Sequence, residues 1–216
     1  MMKRIGIIGS GTVGKSLGEG FVKYNHNIML GTRNTDKLSE WKNQLGENAQ
    51  LGSVDETAKF GDILILATKG TAAKDVIKSL DKKDLMNKTI IDATNPISDV
   101  APEDGVLKFF TEKDKSLMEE LQDIVPEANF VKAFNTIGSA LMVNPEFESQ
   151  PTMFIAGNNT DAKSEVAEIV EQFGFEAEDM GTAKASNVIE QLCILWCIPG
   201  FRDNKWNHAF KLLKSK

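Results

Sequence analysis

Arg4-Ile5-Gly6-Ile7-Ile8-Gly9-Ser10-Gly11-Thr12-Val13-Gly14 is the stretch that decides the fold. A short apolar run ends on G-x-G-x-x-G, and Val13, Leu17 and Phe21 then follow at helical spacing. A strand that turns through glycines into a helix is a phosphate-binding arrangement. Gly9 permits the tight turn, Gly11 lets the backbone approach a pyrophosphate, and Gly14 allows close helix–strand packing. Free N–H groups at the helix start face the phosphates, and the helix dipole adds about 0.3–1 kcal/mol.

The second strand decides which dinucleotide is bound. An NAD site places Asp or Glu about 20 residues past the glycines, to accept from the ribose 2′-hydroxyl. Here Ile28-Met29-Leu30 ends in Gly31-Thr32-Arg33-Asn34, with Lys37 one turn further on. A hydroxyl and two cations stand where the carboxylate would be, a set suited to a 2′-phosphate. Each charge-assisted bond contributes about 1.5–3 kcal/mol. The expected cofactor is NADP(H).

Working outward, β-type runs alternate with amphipathic ones along the whole chain. Strands are expected at Lys3–Ile8, Asn27–Gly31, Ile63–Ala67, Thr89–Asp92, Phe130–Ala133, Thr152–Ala156 and Phe175–Asp179. Helices are expected at Thr12–Tyr24, Thr35–Leu45, Thr71–Leu80, Lys113–Val125, Asp161–Phe173 and Ala183–Cys197. Mostly non-alternating Ile/Val/Leu strands between helices predict an α/β, Rossmann-type, doubly wound and mostly parallel sheet. Asp92–Thr111 reads as a long loop at the sheet's edge. Residues 1–181 form the expected NADP-binding domain, and residues 182–216 a small C-terminal helical cap or dimerisation segment.

Ligands of such sheets sit beyond the carboxyl ends of the strands. Thr68-Lys69-Gly70, Ala93-Thr94-Asn95-Pro96 and Asn135-Thr136-Ile137-Gly138 lie at three further strand ends. Thr68, Lys69, Asn95, Asn135 and Thr136 are therefore candidate partners of a ribose or carboxamide. No acid–base constellation accompanies them. His26 and His208, the two histidines, lie away from strand ends, and no catalytic residue is assigned. Oxidation of an alcohol needs a general base, whereas hydride passing between two planar rings needs mainly proximity and orientation. Lys69 is the one candidate acid.

Composition sets the class. The 216 residues carry 25 basic and 31 acidic side chains, a net charge of −6 that argues against nucleic-acid binding. Cys193 and Cys197 make neither a disulfide framework nor a metal site, and read as buried thiols. The apolar run after Met1-Met2-Lys3-Arg4 is too short for a signal core, no run reaches membrane-spanning length, and a cytoplasmic location is expected. Leu192–Ile198 is continuously apolar, as in a helix buried in a core or a subunit interface. After Pro199-Gly200, Trp206, Ala209, Phe210 and Leu213 mark a second amphipathic stretch, a membrane-surface helix on one reading, but expected in an acidic chain to pack over the cleft or against a second subunit.

Over nearly its whole length the chain resembles the coenzyme F420-dependent NADP oxidoreductase family. The likeness rests on the glycine motif, on Gly31-Thr32-Arg33, on Ile91-Asp92-Ala93-Thr94-Asn95-Pro96 and on Val131-Lys132-Ala133-Phe134-Asn135-Thr136-Ile137-Gly138. Met153-Phe154-Ile155-Ala156-Gly157 and Asp179-Met180-Gly181-Thr182-Ala183 add to it. The resemblance implies NADPH held by Ser10, Thr12, Val13, Thr32, Arg33 and Lys37, hydride transfer to a deazaflavin, and a homodimer. The fold is also similar to the cytosolic part of STEAP-type metalloreductases, which pass hydride to a flavin. Archaeal members have His where this chain has Asn135. The reading is hydride transfer between NADPH and a planar acceptor, coenzyme F420 first and FMN or FAD second. The rivals are reduction of a small carbonyl or imine, and a non-catalytic NADPH sensor.

Overall fold

Ile5–Ile8 and the matching runs in neighbouring strands are short and largely apolar on both faces, which a sheet covered by helices on both sides requires, and the first strand starts at Arg4 rather than at the expected Lys3. The computed structural model describes residues 2–215. Its elements in order are β1 (Arg4–Ile8), α1 (Thr12–Lys23), β2 (Asn27–Gly31), α2 (Ser39–Leu45), β3 (Ala49–Gly52), α3 (Val54–Phe60) and β4 (Ile63–Leu66). There follow α4 (Gly70–Ser79), β5 (Thr89–Asp92), α5 (Leu117–Ile124), β6 (Asn129–Lys132), β7 (Thr152–Gly157), α6 (Thr160–Gln172), β8 (Glu176–Asp179) and α7 (Ser186–Asp203).

The strands make one eight-stranded sheet in the order β3-β2-β1-β4-β5-β6-β7-β8. Every pair is parallel except β6–β7. Ile5 of β1 lies opposite Ile28 of β2 and Ile63 of β4. The direction of winding reverses between β1 and β4, which opens a crevice at their carboxyl ends. On one face Leu17 and Phe21 of α1 and Val166 and Val170 of α6 bury Ile5, Ile7 and Ile28. On the other, Ile77 of α4 and Leu117 and Leu121 of α5 bury Ile8, Leu64 and Ile90. The Rossmann-type α/β class is as the alternation predicts.

Several expectations are corrected. The expected helix Thr35–Leu45 is a 3-10 turn at Asp36–Leu38 followed by α2. The expected Lys113–Val125 helix starts only at Leu117, because Ser116 and Glu119 form a capping box there. β3 and α3 were not expected. β3 is a four-residue edge strand without an apolar run, whereas α3 carries a capping box, Ser53 with Glu56, that its sequence displays.

The loop after β5 leaves a central strand rather than the sheet's edge. It folds back on itself, Ser98 N–H donating to the Lys108 carbonyl at 2.8 Å, and Leu107 packs with Cys193, Trp196 and Cys197. At the C-terminus α7 runs through Pro199 to Asp203 and stops on Asn204, left-handed at φ 52°. The expected helix around Trp206–Leu213 does not form. The tail instead runs beside the start of β7, where Thr152 N–H donates to the Phe210 carbonyl at 2.9 Å and Leu212 N–H to Thr152 Oγ1 at 3.1 Å. Trp206 lies against Gly200, and a side chain on that glycine would meet its ring at 2.2 Å.

Candidate functional site

The glycine turn joins β1 to α1, and each glycine does something different. Gly9 sits at φ 123°, and a Cβ there would lie 2.4 Å from the Ala67 carbonyl oxygen. A Cβ on Gly14 would lie 2.0 Å from the carbonyl oxygen of Gly9, so α1 can approach β1 only without one. Gly11 has φ −76° and ψ −173°, ordinary extended backbone, and a Cβ there would meet nothing within 4 Å. Nothing in the fold requires glycine at that position. What its missing side chain leaves is open space in front of the helix. No side chain caps α1, so the amides of its first turn, from Thr12, Val13 and Gly14, have no intrahelical partner.

Two adjoining cavities share Ser10, Thr32 and Arg33. The first, about 350 Å³, is walled by Gly9, Ser10 and Gly11 from the turn, Thr32 and Arg33 from the end of β2, and Thr68 and Lys69 from the end of β4. The second, about 340 Å³, adds Lys15, Asn34 and Lys37. Ser10 donates to Thr32 Oγ1 at 3.2 Å, and Thr32 Oγ1 also accepts from Asn34 N–H at 3.2 Å, which fixes the two turns against each other. No acidic side chain among the described residues lines either cavity. Among the described residues Lys15, Arg33 and Lys37 make no ion pair, in a chain of net charge −6. Lys15, one residue past the third glycine, is a member of this cation set that the sequence reading missed. Thr68 Oγ1, at the far wall, is buried without a hydrogen-bond partner. Open space at Gly11, an uncapped helix, unpaired cations and an orphaned hydroxyl fit a phosphorylated dinucleotide.

The other expected site residues are placed differently. Asn95, Asn135 and Thr136 line neither cavity. Asn95 Nδ2 donates to the Asn135 carbonyl at 2.8 Å. Asn135 Nδ2 donates to Asn95 Oδ1 at 3.0 Å and to the Ile189 carbonyl at 3.2 Å. The two amides thus lock the ends of β5 and β6 to each other and to α7, and Thr136 is buried beside them. Only Asn135 Oδ1 is left without a partner. Phe134, just before, is held left-handed at φ 61°, a strain costing about 1–3 kcal/mol. Lys69 reaches across the mouth to pair with Asp99 of the loop after β5, both side chains being exposed. His26 lies at the amino end of the sheet, its Nδ1 accepting from Lys3 N–H at 3.1 Å, and His208 stacks on Trp196. Neither histidine touches the crevice.

Beneath the Asn95–Asn135 pair lies a cluster that sequence reasoning also missed. Lys132, Asp92 and Glu190 have side chains almost wholly buried, with Lys132 Nζ 2.7 Å from Asp92 Oδ2 and 2.7 Å from Glu190 Oε1. Burial, with the Asp92 charge adding to it, pushes the Glu190 carboxyl above the usual range, against the pull of the Lys132 ammonium. The two carboxylates hold Lys132 above its ordinary value despite its desolvation. The signal was present in the sequence. Asp92 and Lys132 each end an apolar central strand, and Glu190 is the one acid in Val188–Ile198.

Residues 4–96 match the family described as NADP oxidoreductase, coenzyme F420-dependent. The F420-dependent NADP reductase of Methanocaldococcus jannaschii is 26% identical over 178 residues, 78% of this chain and 79% of that protein. Metalloreductase STEAP3 of Rattus norvegicus is 26% identical over 206 residues, 91% of this chain but only 38% of that protein's length. A crystal structure described as an F420-dependent NADP reductase of Arthrobacter sp. FB24 superposes with a TM-score of 0.90 at 26% identity, covering 99% of this chain and 100% of that one. The resemblance read from the motifs is borne out by these matches, which are to NADP-dependent oxidoreductases or reductases.

Proposed function

We propose that the chain binds NADPH across the two adjoining cavities and passes hydride from it to a planar acceptor, a deazaflavin such as coenzyme F420 first and FMN or FAD second. The observation that carries this reading is the acid-free, cation-bearing pair of cavities at the ends of β2 and β4, opened by Gly11. The dinucleotide supplies the hydride, and the chain supplies binding and orientation. The first-turn amides of α1 hold the pyrophosphate, and Thr32, Arg33 and Lys37 grip the 2′-phosphate. Thr68, with its free hydroxyl, and Lys69 orient the nicotinamide half. Lys69, the candidate acid read from the sequence, lines the first cavity but is engaged by Asp99 across the mouth, which suits transfer between two rings better than reduction of a carbonyl.

Residues 1–181 act in this reading as the NADP-binding unit, and 182–216 as the segment through which two copies meet in the cytoplasm. Among the described residues no helix is long and apolar enough to cross a membrane. The α7 surface supports the dimer, since Val188, Leu192 and Leu195 recur at i, i+4, i+7 and both Val188 and Leu195 are more than half exposed.

The test is NADPH oxidation, followed by absorbance, against deazaflavin, FMN, FAD and a set of small carbonyls and imines, with NADH in parallel. Turnover with deazaflavin or a flavin, much faster from NADPH than from NADH, is expected. Turnover with carbonyls or imines alone, or tight NADPH binding with no turnover at all, would replace this reading with one of its rivals.

A further inference from the structure

The ends of β5 and β6 hold a buried charge that NADPH binding, as described, does not use. Lys132 pairs with Asp92 and Glu190 and donates to the Thr94 carbonyl at 2.9 Å. Asp92 Oδ1 accepts from the Thr94 amide at 2.9 Å and from its hydroxyl at 2.7 Å. Glu190 accepts from the amides of Leu117 and Met118, the first residues of α5, at 3.0 and 3.2 Å. Burial raises the Glu190 carboxyl, but every partner of the two carboxylates is a donor: Lys132 lies 2.7 Å from each, and the amides of Thr94, Leu117 and Met118 add hydrogen bonds, a set that favours the ionised form of both. Two carboxylates against one ammonium leave a net charge of −1 in the interior, offset only in part by the amino end of α5.

Such a cluster is weak evidence for stability, since apolar residues often replace a buried ion pair without loss. Its position suggests another use. The β2 end carries the 2′-phosphate cations, so in this topology the nicotinamide half extends the other way, toward the ends of β4, β5 and β6. Thr94, bonded to both Asp92 and Lys132, immediately precedes Asn95, which ties the end of β5 to that of β6.

The geometry points to the Asp92–Lys132–Glu190 cluster as an electrostatic device that favours the oxidised dinucleotide over the reduced one, and so promotes hydride donation. When hydride leaves C4 of the ring, both bonding electrons go with it to the acceptor and a positive charge stays behind. A fixed negative charge in the strand ends toward which the nicotinamide half extends would stabilise that product in a medium that screens poorly. At an effective dielectric of about 20, one charge at a distance on the order of 10 Å changes an equilibrium roughly tenfold. The three residues act from beneath the floor and are positioning residues, not catalytic ones. The inference rests on the proposed NADP(H) site.

The experiment measures Kd for NADP⁺ and for NADPH, by calorimetry, in the wild type and three variants. Glu190→Gln and Asp92→Asn each remove one negative charge at nearly constant shape, and either one that folds suffices. Each should raise the ratio Kd(NADP⁺)/Kd(NADPH) about tenfold. The double variant Lys132→Met with Glu190→Gln removes one charge of each sign, keeps the net −1, and should leave the ratio near that of the wild type. A purely structural role would weaken both forms alike. An unchanged ratio in the single variants, or an equal shift in the double variant, overturns the inference. Failure of the wild type to bind either form would instead overturn the proposed function on which it rests.

Discussion

At the scale of single residues, the glycines separate what folding needs from what binding needs. Gly11→Val should fold, because its Cβ meets nothing within 4 Å and the backbone there suits any residue. As a poorer N-cap it costs about 1 kcal/mol. It fills the space before the α1 amides, so NADPH binding by calorimetry should vanish while the urea midpoint falls by no more than that cap loss accounts for. Gly14→Ala should do the reverse, losing about 1–3 kcal/mol of stability to a clash with the Gly9 carbonyl oxygen. Retained affinity in Gly11→Val would remove the pyrophosphate from this turn. Arg33→Glu puts an acid into cavities that have none, and should weaken NADPH roughly ten- to a hundredfold while NADH changes by a few fold at most. Equal losses for the two dinucleotides would sink the 2′-phosphate assignment. These positions were legible because spacing from one glycine motif names them directly. Asp92, Lys132 and Glu190 stand out in the sequence only as charges in apolar segments, and Lys15 as one more surface lysine, since their meaning lies in which strand ends and helices come together in space.

At the scale of elements, the strongly apolar strands and long helices could be read from periodicity, and the exceptions have physical causes. β3 is too short and too exposed to carry a pattern, with Gln50 exposed between Ala49 and Leu51. The tail has helical spacing of apolar residues, but the left-handed stop at Asn204 and the free amide of Thr152 give it a better partner than itself. The joint between the amino ends of β1 and β2 supplies a pH prediction. His26, buried beside Phe21, accepts at Nδ1 from Lys3 N–H, and burial lowers its pKa from the ordinary 6.5. A depressed folded-state pKa means the neutral ring's contribution is fully present above 6.5 and is lost as the pH falls through the lower folded value. The urea midpoint should therefore decline on the acid side of 6.5. His26→Asn, which cannot titrate, should flatten that part of the decline. An identical acid limb in wild type and variant would assign it to the carboxylates.

At the scale of the whole molecule, the sheet divides its work. The β3–β2–β1–β4 side carries the cavities, and β7, β8, the tail and α7 lie on the other side of the cluster at β5 and β6. The tail covers Trp196 and is tied to β8 by Lys211–Glu176 and Lys214–Glu178 pairs, exposed contacts that add little stability. α7 therefore buries one face against the protein and leaves Val188 and Leu195 exposed, with Leu192 half-buried between them. A second copy of the chain is the occupant that suits this face. The residues are apolar and uncharged, a single helix lying antiparallel to its own twin satisfies two-fold symmetry, and an acidic protein gains nothing from a lipid surface. Light scattering should give twice the 23.8 kDa chain mass for the wild type. Leu195→Glu places a charge at the centre of the contact and should yield a monomer whose NADPH affinity is within a few fold of the wild type, because α7 does not line the cavities. A wild type that is monomeric at all concentrations removes the dimer. A Leu195→Glu variant that stays dimeric moves the interface off α7. A monomer that has lost NADPH would mean that the second copy completes the binding site.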